Sequence, residues 1–199
     1  ATLPIRNVNR TVGTILGNLV SNAIKATPEG GRVEVRATHG VVLASGGYGS
    51  SAQRVARYKP AFARFTSTGQ PGTTGDAIDL VQRVGAEVFD LEWIQIHPTQ
   101  ATGSKTLISE TVRGAGAILV NRDGKRFVNE VTTRDKVSAA ELAQKGQTAF
   151  LVFDEGVKNS MKMMEGFFHL GLVKEGATLQ ALAQRIGVDA TQLPATVQA

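Results

Sequence analysis

The sequence predicts an α/β segment up to about residue 92, followed by an α+β segment from about residue 93. Strand-like and helix-like patterns alternate in the first part, whereas the second part mixes helices with a hairpin signal at Asp123-Gly124. A chain of 199 residues is long enough for one ordinary domain or two small ones. We therefore expect a boundary near residues 92–97, with residues 1–39 forming a helix–strand segment of uncertain origin.

The first part contains three recognisable elements before its glycine turn. Apolar residues at helical spacing predict a helix over about residues 10–26. Alternation at residues 32–36 predicts a strand. The short apolar run at residues 41–44 predicts a buried strand that leads into the turn at Gly46-Gly47.

A second group of patterns leads towards the expected boundary. Residues 52–68 are polar and basic, so we expect them to be irregular. Glycine and proline residues at 69–76 predict a loop, and an apolar stripe then predicts a helix that ends near Gly85. From Glu87 the chain alternates between apolar and polar residues as far as His97, which predicts an extended segment.

The second part is expected to contain a hairpin, a buried strand and several helices. The hairpin arms would flank Asp123-Gly124, because this dipeptide tolerates the positive φ of a tight turn. The last helix has a cap at Thr178 and a glycine end at Gly187. The predicted arms are residues 117–120 and 126–129, the strand is residues 149–153, and the helices are near residues 137–145, 155–165 and 178–186.

Composition excludes several classes of function. The formal charge of +5 is spread along the chain, whereas a nucleic-acid surface would need clustered Lys and Arg. The sequence has no cysteine, which excludes disulfides and thiolate metal sites, and we expect no metal site. No run approaches the roughly 18 apolar residues of a membrane span. We expect a soluble protein, and its compartment, bacterial periplasm or cytoplasm, stays open.

Two glycine-containing segments are candidates for binding a nucleotide cofactor. Ser45, Gly46 and Gly47 follow a predicted strand, where glycines let the backbone approach a ligand closely. Thr74, Gly75 and Asp76 precede a predicted helix, whose N-terminal N–H groups favour polar or anionic ligand atoms. The alternatives are an ordinary turn for the first segment and an ordinary helix cap for the second.

Five polar residues in the second part are candidates for chemistry: His97, Ser109, Glu110, Arg113 and Arg134. Each has a purely structural alternative. Taken singly, each residue favours that alternative: His97 as a satisfied interior histidine, Glu110 and Arg113 as a surface pair at i,i+3, and Arg134 as a solvated loop arginine.

Taken together and in order, these segments resemble a known family. The carrying motifs are residues 42–48, 70–76, 94–99, 109–117, 121–127, 129–130 and 132–135. From about residue 40 to 197 the chain resembles the flavoprotein of soluble fumarate reductases of the flavocytochrome c type. The succinate dehydrogenase and ketosteroid dehydrogenase flavoproteins form the wider group.

The resemblance implies an FAD-dependent oxidoreductase that reduces the C=C bond of a small unsaturated carboxylate such as fumarate. Residues 40–92 would be the C-terminal part of an FAD-binding domain, and residues 93–199 an incomplete clamp or capping domain. An electron-donor protein or domain is a possible partner.

The same resemblance assigns a role to each candidate residue. Arg134 would protonate one alkene carbon after hydride transfer from the flavin to the other. Glu110 and Arg113 would relay that proton from solvent, while His97 and Ser109 would hold a substrate carboxylate. The segments Ser45–Gly47 and Thr74–Asp76 would lie against the flavin nucleotide.

The sequence also departs from the family pattern. Ser109 stands where soluble fumarate reductases usually carry threonine, although the hydroxyl is kept. The Gly-x-Gly-x-x-Gly segment that seats the FAD pyrophosphate is absent, as are the later His and Arg that grip the second substrate carboxylate. We therefore expect the chain alone to be inactive.

Residues 15–36 resemble instead the N-box helix of histidine kinase ATPase domains. That resemblance implies Mg²⁺ coordination by Asn22 and ATP-phosphate contacts by Asn18 and Lys25. The glycine-rich lid of those domains is missing. An ATP-binding module and a non-catalytic or chimeric fragment therefore stay open as alternatives to the flavoenzyme.

Overall fold

A computed structural model describes residues 22–23, 25–32, 38–39, 42 and 44–199 of the chain. The chain divides into two compact units, Ala1–Ala44 and Ser45–Ala199. In the first unit, residues 22–23 and 25–26 are helical. Most of the predicted helix at 10–26, residues 33–36 of the predicted strand at 32–36, and residues 41 and 43 of the predicted strand at 41–44 lie outside the described residues.

The second unit consists mainly of short helices around one small sheet. Short 3₁₀ turns at Pro60–Phe62 and Lys145–Gln147 connect some of these elements. In chain order the elements are α1 (Ala52–Tyr58), α2 (Asp76–Arg83), α3 (Glu110–Gly114), β1 (Ile118–Val120), α4 (Arg134–Leu142), β2 (Phe150–Val152), α5 (Glu155–Ser160), α6 (Met163–His169), α7 (Leu179–Ile186) and α8 (Gln192–Gln198).

The sheet pairs β1 with β2 in antiparallel register, with Leu119 opposite Leu151. The predicted strand at 149–153 is therefore confirmed. The turn at Asp123-Gly124 also forms, because the Asn121 N–H donates to the carbonyl of Lys125 at 2.9 Å.

The second hairpin arm was predicted wrongly, since only an isolated bridge joins Val120 to Arg126. The physical reason lies at Glu130, which is only 3% exposed. Its carboxylate, and not a strand carbonyl, accepts the N–H of Leu119 at 2.8 Å. A side chain has therefore taken a backbone donor that a longer hairpin would have used.

Two other predictions before the boundary need correction. Residues 52–68 are not irregular throughout, because α1 occupies Ala52–Tyr58. Its N-cap Ser51 accepts the N–H of Arg54, and Val55 is its single buried residue. The alternating segment at 87–97 forms no strand, and Asp90 has a positive φ of 59° that interrupts an extended path.

The core of the second unit consists of two apolar clusters, which lie around β1 and β2. Burying each Val, Leu, Met or Phe side chain of these clusters contributes roughly 1.5–3 kcal/mol relative to exposing it. One cluster contains Val112, Ala117, Val157, Met164 and Phe167, and the other contains Val120, Val152, Ala183, Val188 and Leu193. The clusters hold α3 and the sheet against α5, α6, α7 and α8. The predicted cap of α7 at Thr178 and its end at Gly187 are both confirmed.

Four large apolar side chains between the start of α2 and the candidate site are exposed in this unit. Leu80, Val84 and Phe89 are 52%, 81% and 74% exposed, so the apolar stripe predicted on α2 is not part of the core. Trp93, the single tryptophan, is 80% exposed. Across the described part of the chain, we find no helix with the length and apolar character needed to cross a bilayer.

Candidate active site

The structure brings His97, Glu110 and Arg134 into one hydrogen-bonded cluster. Glu110 and Arg134 are the first residues of α3 and α4, so the N-terminal ends of these two helices meet. The guanidinium of Arg134 donates to one carboxylate oxygen of Glu110. The other oxygen, Oε2, lies 3.1 Å from Nε2 of His97. The cluster thus joins residues that are far apart in sequence, since His97 and Arg134 are 37 positions apart.

Glu110 is held in its charged form. Its own backbone N–H has the largest effect, and hydrogen bonds from His97 and Arg134 add to it, so the pKa of Glu110 falls from 4.5 to about 2. The carboxylate is 46% exposed and therefore reaches solvent in this unit. At neutral pH it accepts hydrogen bonds and can accept a proton only transiently.

A neighbouring threonine fixes the tautomer that we assign to His97. The backbone N–H of Thr99 donates to Nδ1 of His97 at 3.3 Å, so Nδ1 is the acceptor. In the neutral ring the proton is then on Nε2, which faces Glu110. The Thr99 hydroxyl in turn donates to the carbonyl of Ile108 at 2.6 Å, which connects this segment to the residue just before Ser109.

Arg113 lies on α3, one turn after Glu110, but its side chain points into the protein. It is 4% exposed, and its Nη1 donates to the backbone carbonyl of Glu130 at 2.5 Å. Burial lowers the pKa of Arg113, while the charge of Glu110 raises it and that of Arg134 lowers it further. The surface-pair alternative for Glu110 and Arg113 is therefore wrong, because Arg113 is an interior residue beneath the cluster.

Ser109 is next to the cluster in sequence and acts as the N-cap of α3. Its Oγ accepts the N–H of Thr111 at 3.3 Å and lies 2.9 Å from the Thr111 hydroxyl. The structure places Ser109 beside Glu110 along the chain, with no hydrogen bond between Ser109 and His97. Ser109 is half-buried.

Two residues of the site were not among the predicted ones. Gln95 accepts from Nη1 of Arg134 at 2.5 Å. Glu130 binds the exposed Arg126 through Nε at 3.0 Å and through Nη2 at 2.6 Å. Both residues stood inside the motifs that carried the family resemblance, so the motif boundaries were the available signal.

The first candidate cofactor segment lies against the second. Gly46 has a φ of +82°, and a Cβ built there would lie 3.4 Å from the methyl carbon of Thr73. Just after this turn, the N–H of Ser50 donates to the carbonyl of Thr73 at 3.0 Å. The Ser50 hydroxyl is also 2.9 Å from that of Thr73. Ser45–Gly47 and Thr74–Asp76 are therefore neighbours in space.

Position 75 has no room for a side chain and therefore requires glycine. It is the N-cap of α2 with a φ of +83°, and a Cβ there would lie 2.5 Å from Cβ of Tyr48. On either side, the Thr74 hydroxyl donates to the carboxylate of Asp76 at 2.8 Å, and Nε of Arg54 donates to the Thr74 carbonyl at 2.9 Å. The close approach of Gly75 to Tyr48 ties the loop before α2 to the glycine turn.

The groups presented by these two segments fit a flavin nucleotide. Within the described residues, nothing accepts a hydrogen bond from the backbone N–H of Gly46 or Gly47. Both glycines are exposed, and Gly47 has open space where a Cβ would stand. The exposed carboxylate of Asp76, which accepts the Thr74 hydroxyl, adds a further acceptor. Backbone donors beside a carboxylate suit the acceptor atoms and hydroxyls of such a ligand.

Two cavities lie within the second unit, and the smaller one borders the cluster of His97, Glu110 and Arg134 through His97. The smaller, of about 290 Å³, is lined by Gln95, His97, Ser138 and Glu141 among others. The larger, of about 900 Å³, runs past Glu141 and along β2 towards α6 and α7. Glu141 therefore borders both.

Comparison with known proteins identifies the family to which this fold is related. The model of the FAD binding domain family matches residues 1–199. The fumarate reductase (cytochrome) of Shewanella frigidimarina is 43% identical over 185 residues, which are 93% of this chain and 31% of that protein. The urocanate reductase of Eggerthella lenta is 30% identical over 168 residues, 79% of this chain and 28% of that protein. The chain thus spans about a third of the length of these relatives.

A solved structure agrees with these relatives. The open conformation of a flavocytochrome c3 fumarate reductase matches with a TM-score of 0.65 and 44% identity, covering 79% of this chain and 28% of that one. The fold is that of an FAD-binding domain, and FAD is its cofactor. The family match includes residues 15–36, and the comparisons give the histidine kinase resemblance no support.

Proposed function

The chain belongs to the flavoprotein family defined by this FAD binding domain, to which the fumarate reductases are related, and on that premise we propose its reaction. A full-length protein of the relatives' size that contains these residues reduces the C=C bond of a small unsaturated carboxylate. The cluster of Arg134, Glu110 and His97 carries the proposal, because it gathers an acid, a carboxylate and a histidine at one solvent-reachable point.

Arg134 is the proposed proton donor to the substrate. FAD, when bound, supplies a hydride to one alkene carbon, and the other carbon then needs a proton. A guanidinium has five N–H donors, of which Glu110 and Gln95 occupy two, so others remain for a substrate. The side chain is 37% exposed, which leaves it accessible to a substrate. Its positive charge also stabilises negative charge that develops on the substrate.

An arginine gives up a proton only if the loss is brief and is repaired at once. Glu110 is placed for that repair, since its carboxylate already holds the Arg134 guanidinium and also reaches solvent. Arg113 is the second proposed member of the relay. As a buried cation beneath Arg134, it makes the loss of a proton from Arg134 easier by charge repulsion.

His97 and Ser109 are the proposed ligands of a substrate carboxylate. In our assignment the Nε2–H of His97 faces Glu110, and a substrate carboxylate would compete for that donor. Ser109 would contribute its hydroxyl from the start of α3. The relatives include a urocanate reductase as well as fumarate reductases. The proposal therefore leaves open which chemical group the substrate has in addition to this carboxylate.

The proposed division of labour follows the expected domains. Residues 40–92 belong to the FAD-binding part, with Ser45–Gly47 and Thr74–Asp76 against the nucleotide. Residues 93–199 form part of the clamp that covers the substrate. Electrons would come from a donor protein or domain, and the 199-residue chain by itself would be inactive.

The test uses the full-length protein, purified and examined for a flavin absorption spectrum. Its flavin is then reduced without oxygen and mixed with fumarate, urocanate or acrylate. We expect rapid reoxidation by at least one of these and formation of the saturated acid. A flavin-loaded protein that none of the three compounds reoxidises faster than a saturated carboxylate does would overturn the proposal.

A further inference from the structure

Glu130 is a buried charged residue outside the proposed relay. It is 3% exposed and lies between the turn at residues 123–124 and α4. Its Oε1 accepts the N–H of Leu119 at 2.8 Å. Arg126 approaches from the surface, with its Nε 3.0 and 3.1 Å from the two carboxylate oxygens and its Nη2 donating to Oε2 at 2.6 Å. The carboxylate is therefore held from two sides, by strand β1 and by a surface side chain.

Glu130 is ionised in this position. Burial acts to raise the pKa of its carboxyl group, but the hydrogen bonds from Arg126 and from the Leu119 N–H outweigh burial, so the pKa falls below its ordinary value. Near neutral pH the group is therefore an acceptor of hydrogen bonds and has no proton to give.

The main chain of Glu130 depends on this side chain for its position. The residue lies in neither a helix nor a strand. Among the described residues, its backbone N–H and carbonyl make no hydrogen bond to another backbone group. The neighbouring turn bond runs from the N–H of Thr132 to the carbonyl of Asn129 at 3.2 Å and so bypasses Glu130. The carbonyl of Glu130 is thus placed through the contacts of its own carboxylate.

That carbonyl anchors Arg113. It accepts Nη1 of Arg113 at 2.5 Å. Within the described part of the chain, it is the single hydrogen-bond partner of this guanidinium, whose buried Nε has none. The charge of Arg134 acts on the pKa of Arg113, so the two cations lie within electrostatic reach of each other. Where the Arg113 charge lies relative to Arg134 therefore depends on one carbonyl.

We propose that Glu130 is a positioning residue, whose clamped carboxylate places the carbonyl that holds Arg113. The inference rests on the proposed function, in which the charge of Arg113 eases the loss of a proton from Arg134. Repulsion between like charges weakens with their separation, so a displaced Arg113 would ease that loss less. Glu130 itself exchanges no proton and contacts no substrate in this role.

The first test compares Glu130→Gln with wild type in the full-length holoenzyme. Glutamine keeps an oxygen for the Leu119 N–H, but its neutral amide loses the ion pair with Arg126. We expect kcat for alkene reduction to fall about 10- to 100-fold, because a positioned group displaced by about 1 Å has an effect on that order. KM and flavin content should stay within about twofold of wild type, since the proposed ligands of substrate and nucleotide are unchanged.

Arg126→Met tests the same clamp from the surface. Arg126 is 51% exposed, so its replacement leaves the apolar core intact, and it decides the question if Glu130→Gln fails to fold. We expect kcat to fall by about tenfold or more, again with little change in KM. Lys125→Met removes a positive charge from the preceding exposed position and is the matched control, with the kcat of wild type.

A double-mutant cycle separates positioning from a general loss of structure. Arg113→Met removes the guanidinium that Glu130 is proposed to place. In that background, Glu130→Gln and Arg126→Met should each lower kcat by less than about twofold further. Effects that multiply, as those of independent structural defects do, would overturn the inference. So would wild-type kcat in Arg113→Met, because Glu130 would then have nothing to act through.

The wild-type reaction separates the two proposals. A wild-type protein that reduces no unsaturated carboxylate would overturn the proposed function. If the wild type reduces one of these compounds and either Glu130→Gln or Arg126→Met has the same kcat, this inference alone is overturned.

Discussion

The guanidinium of Arg134 donates a hydrogen bond to the carboxylate of Glu110, although 24 residues and a strand separate them in the chain. Each is the first residue of its helix, so the contact closes the gap between the N-terminal ends of α3 and α4. Backbone N–H groups at these ends favour a negative charge. The pair therefore fixes the proposed acid and keeps the carboxylate ionised.

Replacing Glu110 by Gln tests the outer part of the relay. The amide keeps the shape and can still accept from Arg134, but it cannot take up and pass on a proton. We expect kcat of the full-length enzyme to fall by about 10²–10⁴, with a much smaller change in KM. Steady-state reduction of fumarate or the preferred acceptor measures this. Glu87→Gln, at an exposed position, is the control, and a glutamine variant with unchanged kcat would remove Glu110 from the relay.

Replacing Arg134 by Lys tests the acid itself. Lysine keeps the charge but loses the planar set of donors that binds Glu110 and Gln95 together. We expect alkene reduction to be lost, by about 10⁴-fold or more, while flavin content stays as in wild type. Absorbance gives the flavin content, and anaerobic reoxidation gives the rate. Arg185→Lys on α7 serves as the comparison, and near-normal turnover in Arg134→Lys would contradict the acid role.

A pair of glycine substitutions tests the packing of the cofactor segment. Gly75 and Gly85 have similar φ values of +83° and +76°, but a Cβ meets Tyr48 at 2.5 Å only at Gly75, whereas nothing lies within 4 Å at Gly85. Both alanine variants carry the backbone strain, so their difference isolates the clash. We expect Gly75→Ala to lower the free energy of unfolding by about 1–3 kcal/mol more than Gly85→Ala does. Denaturant unfolding of the chain measures both variants. Equal losses of unfolding free energy would show that the loop before α2 can move away from Tyr48 without destabilising the protein.

The raised pKa of Glu141 predicts how stability depends on pH. The folded chain holds the proton up to about pH 7, whereas the unfolded chain releases it near 4.5, so the folded state binds more protons between these values. Stability therefore falls as pH rises from about 4.5 to 7, by an amount on the order of 3 kcal/mol. Glu141→Gln should remove this contribution. Denaturant midpoints of the two chains across that pH range measure it, and parallel curves would contradict the buried ionisation.

The sequence predicted those elements whose signals come from neighbouring residues in the chain. The cap Thr178 and the terminal Gly187 of α7 were found because capping depends on adjacent residues. Helix α1 was missed because Val55 is its only buried residue, which leaves no apolar stripe to detect. The second hairpin arm failed because the Glu130 carboxylate takes the N–H of Leu119, a contact between residues that no spacing rule connects.

The candidate site likewise contains some residues that the sequence predicted and others that it could not predict. His97, Glu110 and Arg134 stood in ordered motifs, and the structure joins them. The contact of Gln95 with Arg134 and the burial of Glu141 depend on what faces these residues after folding, and a lone Gln or a Glu at a helical position carries no such information. Burial of Arg113 was equally invisible, because it follows from the packing of α3 against the segment around Glu130.

The exposed indole of Trp93 has a practical consequence. It is the single tryptophan in the chain, and it lies two residues before Gln95, which holds Arg134. Ultraviolet emission from this ring should be that of an indole in water, and it should shift to shorter wavelength when another surface covers it. A flavin that comes close would quench the emission by energy transfer. The chain therefore contains its own label-free optical reporter beside the proposed site of protonation.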